Sequence, residues 1–221
     1  MALLTDLFYI KSNENDNIIY ISGAPTTESN PLYVYKPRTD TTYTITSEAE
    51  VALNADFDDK LELYSDLGSL YGMNITASKN FIVGGNIMSL SNNTTYTNEH
   101  ISFTTGTSQN FAGLFKNSTK LINAHDLLLP VNVLKNFCYK EMFAGCSNLT
   151  NGPAELSATL LAESCYESMF SGCSNLINTP DCKANSSWKR CFKNMFSGCS
   201  KITNAMTFTN LFTFYTASNS D

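Results

Sequence analysis

A chain of 221 residues, 43% hydrophobic and 15% charged, is long enough for one large or two small domains with buried cores. It contains no run of 18 apolar residues, so a membrane-spanning helix is not predicted. The net charge of −6 divides into −8 for residues 1–109 and +2 for residues 110–221, and this shift predicts a domain boundary near residue 105. Neither half is strongly basic, so binding of nucleic acid is not predicted.

Residues 1–105 are predicted to form a small N-terminal β-sandwich-like domain. Short runs of β-forming residues recur at a spacing of about ten residues, and Asn, Gly, Pro and Asp separate them. The predicted strands are Leu7–Ile10, Ile18–Ile21, Leu32–Tyr35, Thr42–Ile45, Leu61–Tyr64, Phe81–Val83, Ile87–Leu90 and Ile101–Phe103. The apolar first ten residues are either the first strand or an arm that docks on a neighbouring subunit.

The N-terminus does not have the pattern of a secretion signal. Its apolar run lacks a basic leader, is interrupted by Asp6 and is followed by no small-residue cleavage site. We therefore expect the chain to stay in the cytosol where it is made, or to belong to a secreted protein whose signal this sequence lacks.

An acidic cluster in the N-terminal half is considered as a metal site. Asp56, Asp58, Asp59 and Glu62 lie close together in the sequence. A calcium loop needs a glycine at its middle, and this segment has none. The cluster is therefore predicted to be a solvated turn.

The two histidines are considered as partners for a cysteine nucleophile. His100 lies at the predicted domain junction, and His125 occupies a repeat position that other residue types fill in the other copies. Both are predicted to be ordinary surface residues. We predict no catalytic residue, no cofactor and no metal site, and hence no enzyme.

Residues 106–221 contain about four copies of one unit, the last followed by a C-terminal cap. Three copies align without gaps and begin at Cys138, Cys165 and Cys191, and a degenerate copy begins at Asn110. The spacing of 26 to 28 residues lies in the range of leucine-rich repeats. Each unit is predicted to be a short strand followed by a helix-like segment, because apolar residues in 133–143 recur at roughly i, i+3 and i+4. The predicted fold is thus mixed α/β, a β-domain followed by a leucine-rich-repeat solenoid.

Matched apolar positions in the three copies are predicted to form a structural core ladder, since one unit cannot bury its apolar face alone. The ladder consists of Cys138, Met142, Phe143, Cys146, Leu149, Cys165, Met169, Phe170, Cys173, Leu176, Cys191, Met195, Phe196, Cys199 and Ile202. Its cysteines are expected to be buried free thiols that act as small hydrophobic residues, with disulfides or a metal site as less favoured alternatives. Cys182 lies outside the ladder and is the best candidate for an exposed thiol.

The unit Met-Phe-x-Gly-Cys-x-x-Leu, with a Leu-Pro strand end, resembles the BspA-like (Treponema-type) leucine-rich repeats of surface proteins from gut Bacteroidetes and their phages. The resemblance covers about residues 110–208 and implies adhesion and protein–protein contact, with no catalytic residues to carry over. The small number of repeats and the missing secretion signal depart from the family pattern.

These features predict a non-enzymatic structural or adhesion protein, most simply a virion component of a phage of gut Bacteroidetes: a fibre, decoration or tail-associated protein at the virion surface. The alternative is a secreted bacterial cell-surface adhesin whose signal peptide this sequence lacks. Expected partners are other virion proteins or a host surface protein or glycan, and a homo-oligomer is allowed. Trp188, Lys189, Arg190 and Lys193 are the candidate partner-binding residues, because Trp and Arg are enriched at binding hot spots.

Overall fold

The computed structural model describes residues 7–65, 67, 70–91, 110–185 and 187–208. Eight strands lie before residue 92: β1 Phe8–Ser12, β2 Asn17–Ser22, β3 Leu32–Lys36, β4 Thr41–Ile45, β5 Val51–Ala55, β6 Lys60–Ser65, β7 Asn74–Ala77 and β8 Phe81–Asn86. Four short strands follow: β9 Leu121–Asn123, β10 Leu127–Leu128, β11 Glu155–Leu156 and β12 Asp181–Cys182. Two 3₁₀ turns, Pro37–Thr39 and Ile87–Leu90, complete the described elements.

The first eight strands form parts of two sheets. The larger sheet has the order β10-β8-β1-β6-β3-β4, with β9 also paired to β8, and the smaller has the order β5-β2-β7. Alternate side chains of β1, β2, β3 and β6 are buried, as expected when one face of each strand packs against the interior. The inward residues of both sheets belong to the same hydrophobic cluster.

Several of the predicted runs coincide with strands, but the boundaries differ. The strand predicted at Ile87–Leu90 is wrong: this segment forms a 3₁₀ turn in which the Met88 N–H donates to the Asn86 side chain at 3.0 Å. The predicted strand Ile101–Phe103 lies outside the described residues. Strands β5 and β7 were not predicted because Asn and Ala, which are poor β-formers, occupy much of both. The apolar start of the chain includes β1, which lies between β8 and β6 in the larger sheet.

The repeated segments are series of tight turns that lie side by side. Within one copy, alternate N–H groups donate to the carbonyl three residues back, as Met142 does to Tyr139 at 3.2 Å. The intervening N–H groups donate to the next copy, as Phe143 does to Met169 at 2.9 Å. Every fourth residue has a left-handed backbone, for example Glu141 at φ 54°. We call the segments 110–121, 137–149, 164–176 and 190–202 turn layers 1 to 4.

The predicted leucine-rich-repeat solenoid with helices is wrong. The only helical segments in the described ranges are the two 3₁₀ turns, both before residue 91, and the β-structure consists of several flat sheets. Cys138, Met142 and Cys146 are apolar residues spaced four positions apart. Over so short a stretch, this spacing is close to the 3.6 residues per turn of an α-helix. Left-handed residues at every fourth position make a continuous α-helix impossible there.

The first turn layer and the strands that follow it are joined to both sheets. Strands β9 and β10 pair in parallel with β8 of the larger sheet, and the N–H of Ile75, in β7 of the smaller sheet, donates to the carbonyl of Leu114 at 2.8 Å. One hydrophobic cluster runs from Phe8 to Met195. The predicted domain boundary near residue 105 falls outside the described residues and stays a prediction. Among the described residues, no helix has both the length and the apolar character needed to cross a bilayer.

Candidate functional site

The turn layers bring the predicted ladder side chains together in rows. In layers 2 and 3 all of them are completely buried, and in layer 4 Cys191 and Met195 are 2% and 3% exposed. The remaining side chains of the ladder, Phe196, Cys199 and Ile202, are partly buried against the same cluster. Burial therefore decreases at the last layer, where no further copy of the repeat follows in the described residues.

Aromatic rings form two columns across the layers. In one column Phe115, Phe143, Phe170 and Phe196 stack with centroid separations of 5.4, 5.3 and 5.5 Å and interplanar angles of at most 12°. The second column contains Phe111, Tyr139, Tyr166 and Phe192 at 5.7, 5.9 and 5.8 Å. The second column was not part of the predicted ladder. The signal was present, because an aromatic residue follows the first cysteine in each of the three aligned copies.

The second cysteine of each copy stabilises the contact between layers. The Sγ atoms of Cys146, Cys173 and Cys199 donate to the phenylalanine carbonyl of the preceding layer at 2.9, 3.1 and 3.0 Å. A thiol at this position satisfies a carbonyl and fills a small apolar volume at the same time. Burial raises the pKa of the Cys146 thiol to about 12, so this group is protonated near neutral pH and is a poor nucleophile.

The first cysteines of the copies, Cys138, Cys165 and Cys191, form a second buried row. Burial raises the pKa of the Cys138 and Cys165 thiols well above their usual range. Interaction between the neighbouring Cys165 and Cys191 thiols adds to the rise at Cys165 and is the main cause of a lowered pKa at Cys191. All seven cysteines are free thiols.

The prediction that Cys182 is an exposed thiol is wrong. Cys182 lies in β12, is completely buried and donates its main-chain N–H to Thr207 at 2.8 Å. Strand β12 pairs in parallel with β11, which turns the cysteine toward the interior beside Leu156. Cys199 is the one cysteine with more than a small exposed fraction, and it lies in the last turn layer.

The candidate partner-binding residues lie at the start of layer 4 and directly before it, and their side chains are exposed. Trp188 is 56% exposed, and Lys189, Arg190 and Lys193 are exposed as well. The Lys193 ammonium lies 3.8 Å from Glu167, which also contacts Lys140 at 3.4 Å, so one carboxylate links three layers. The patch thus contains an exposed indole ring and three exposed cationic side chains.

The other polar residues considered for chemistry lie apart from this patch. His125 is exposed and contacts the neighbouring Asp126 at 3.1 Å. Asp59 was predicted to lie in a solvated turn, and this prediction is wrong: the residue is 1% exposed and lies 2.7 Å from both Lys36 and Arg38. The pairing of β3 with β6 places these cations beside it. His100 lies outside the described residues.

The outer side of the layers also carries a polar row. The Asn175 amide donates to the carbonyl of Ser147 at 2.8 Å, and the Lys201 ammonium donates to the Asn175 side-chain oxygen at 2.6 Å. Equivalent positions of successive copies are therefore adjacent in space. Such rows can present several like side chains to a partner at a fixed spacing.

Comparisons with protein-family models, with curated proteins and with solved structures find no match. The resemblance to BspA-like surface proteins therefore stays a prediction made from the repeat motif.

Proposed function

We propose that this protein is a non-enzymatic structural or adhesion protein that presents the outer side of its turn layers to a partner. We further propose that it is a virion component of a phage of gut Bacteroidetes, as a fibre, decoration or tail-associated protein at the virion surface. Its partners are other virion proteins or a molecule of the host surface.

The observation that carries the proposal is the main-chain ladder between layers. Glu141, Phe143 and Gly145 each donate an N–H to the next layer at 2.9 Å or less. These bonds fix the spacing of the layers, so the exposed side chains are held in rows without a ligand being needed to order them. Preorganised surfaces of this kind lose little conformational entropy when they bind.

The free thiols favour the virion over a secreted adhesin. Proteins that pass through an oxidising compartment commonly form disulfides, whereas thiols persist in a reducing cytosol. Here Cys146 and Cys173 are buried thiols that donate to carbonyls, a role a disulfide sulfur cannot fill. A phage structural protein folds in the host cytosol and reaches the outside by lysis.

Mass spectrometry of gradient-purified virions from a culture that makes this protein tests the proposal. The expected result is a constant ratio of this protein to the major capsid protein across the virion fractions. Cell-surface proteins of the uninfected host serve as the control for contamination. Absence from intact virions, together with presence on the surface of uninfected cells, would establish the bacterial adhesin instead.

A further inference from the structure

A cleft separates the chain around Tyr71 from the first two turn layers. Its volume is about 780 Å³, and the layer wall carries Lys116, Asn117, Phe137, Lys140 and Glu141. The opposite wall is held in place by Asn74, whose side-chain amide donates to the carbonyls of Gly113 at 3.0 Å and Lys116 at 3.1 Å. The cleft therefore has two walls that are tied to each other at its base.

Two aromatic rings line this cleft. Tyr71 is 61% exposed, and Phe137 is partly exposed. Phe137 also has a left-handed backbone, with φ 60°, at a position that the next two copies fill with Ser164 and Arg190. A bulky residue in this conformation costs about 1 kcal/mol. A serine or arginine serves the turn equally well in the sibling copies, so the turn itself does not require an aromatic ring here.

Each charged group that lines the cleft has a partner of opposite charge. The Lys116 ammonium lies 2.6 Å from the Glu141 carboxylate, and Lys140 lies 3.4 Å from Glu167. The Lys140 ammonium also lies 5.5 Å from the centre of the Phe137 ring. Since each cation already has a carboxylate partner, a phosphate would find little uncompensated positive charge. The cleft is better suited to an uncharged ligand with both apolar and hydrogen-bonding surface.

We propose that this cleft binds a saccharide unit of a surface glycan. A sugar ring has C–H faces that pack on aromatic rings and hydroxyl groups that exchange hydrogen bonds with carboxylate, amide and ammonium groups. Tyr71 and Phe137 supply the rings, and Asn117 and the Lys116–Glu141 pair supply the polar groups. This inference deepens the proposed function, because it names the class of host molecule that the presented surface recognises.

A glycan array probed with the full chain is the first test, followed by calorimetric titration of the best-bound oligosaccharide. The Tyr71→Ala and Phe137→Ser variants are expected to bind about tenfold more weakly or worse, because each removes one stacking ring. Phe137→Ser introduces the residue of the sibling copy, so the fold should be retained, and the circular dichroism spectrum checks this. Phe57→Ala is the matched control, since Phe57 is an exposed aromatic residue, 57% exposed, that does not line the cleft.

Three results would overturn the saccharide site: no array signal above background, unchanged affinity in both cleft variants, or binding to a host protein that persists after its glycans are removed. Absence of the protein from virions would refute the virion assignment without changing the array result. A silent array with the protein present in virions would refute only the saccharide site.

Discussion

The two ends of the set of turn layers are closed in different ways. At layer 1 the carbonyls of Asn110 and Leu114 accept hydrogen bonds from Leu70 and Ile75, and the Phe8 ring lies 6.1 Å from Phe115. At layer 4 no residue in the described ranges accepts a hydrogen bond from the N–H of Asn194, Phe196 or Gly198. The side chains there border a depression of about 430 Å³.

The contribution of a residue to the free energy of unfolding therefore depends on its layer as much as on its residue type. An inner layer has a neighbour on both sides, whereas the last one has a described neighbour on one side only. Matched substitutions at the same position of different layers therefore measure the contribution of the missing neighbour.

The largest difference is expected between Phe143→Ala and Phe196→Ala. Phe143 is fully buried between two stacked rings, so its removal should cost about 3–5 kcal/mol of unfolding free energy. Phe196 is partly buried and stacks on Phe170, and its removal should cost about half as much. Urea denaturation of both variants measures the two values. Equal losses would show that layer 4 is covered as completely as layer 2.

The next difference is expected between Gly145→Ala and Gly198→Ala. Both glycines have left-handed backbones, so alanine costs about 1 kcal/mol at either position. At Gly145 the new methyl group would also collide with the side-chain oxygen of Asn117, whereas at Gly198 it would lie 3.5 Å from Gly172, an ordinary contact. Thermal unfolding should therefore show the larger loss for Gly145→Ala, and the reverse order would contradict the contacts between layers.

A smaller effect is expected at the second cysteine position. Cys173→Ala removes a buried thiol and its hydrogen bond to the Phe143 carbonyl, which should cost about 1–2 kcal/mol. Cys199→Ala removes the same bond to Phe170 from a partly buried site and should cost less than about 1 kcal/mol. Serine at either position is the control, because Ser118 occupies this position in layer 1. If serine destabilised as much as alanine, the hydrogen bond would not explain the cost.

The smallest effect is expected for Glu167→Gln, which tests the charge link between layers. Burial alone would raise the pKa of the Glu167 carboxyl, but the nearby Ser164 side chain and the positive charges of Lys140 and Lys193 outweigh it and hold the pKa below its ordinary value of 4.5. The contribution, about 1 kcal/mol or less, is therefore complete above that value and is lost as the pH falls through the lowered pKa of the folded state.

Urea denaturation of the wild type and of Glu167→Gln between pH 3 and 7 measures this contribution. The wild type should have the higher free energy of unfolding near neutral pH and should lose this difference only at the acid end. Glu163→Gln is the control, because Glu163 directly precedes the same layer and takes no part in these ion pairs. A difference that grew as the pH fell would mean that the carboxylate is destabilising in the folded protein.

The N-terminal strands show how far the residue pattern carries. Alternation of apolar and polar residues in Phe8–Ser12 and Lys60–Ser65 is enough to identify both segments as strands. Their order in the sheet, and the burial of Asp59 beside Lys36 and Arg38, depends on which strands pair. Neighbours in the sequence do not contain that information, because the paired residues are more than 20 positions apart.

In the repeats, the sequence by itself determined the period and the inward side chains. Residues that recur at the same position of each copy, such as Cys146 and Cys173, must occupy equivalent sites, and in the structure they are completely buried. Recurring residues occupy equivalent sites whatever the conformation of the backbone between them.

Only the tertiary structure decided that these segments are turns and not helices. Apolar side chains at a four-residue spacing fit both backbones over two turns, and Phe137, Glu141 and Ser168 have no intrinsic preference for the left-handed conformation they adopt. The turn conformation is stabilised because alternate N–H groups donate to carbonyls of the adjacent layer, whereas in a helix they would donate to carbonyls of their own segment. Those bonds join residues about one repeat apart, so no local pattern could specify them, and the cleft between Tyr71 and Phe137 arises from the same long-range packing.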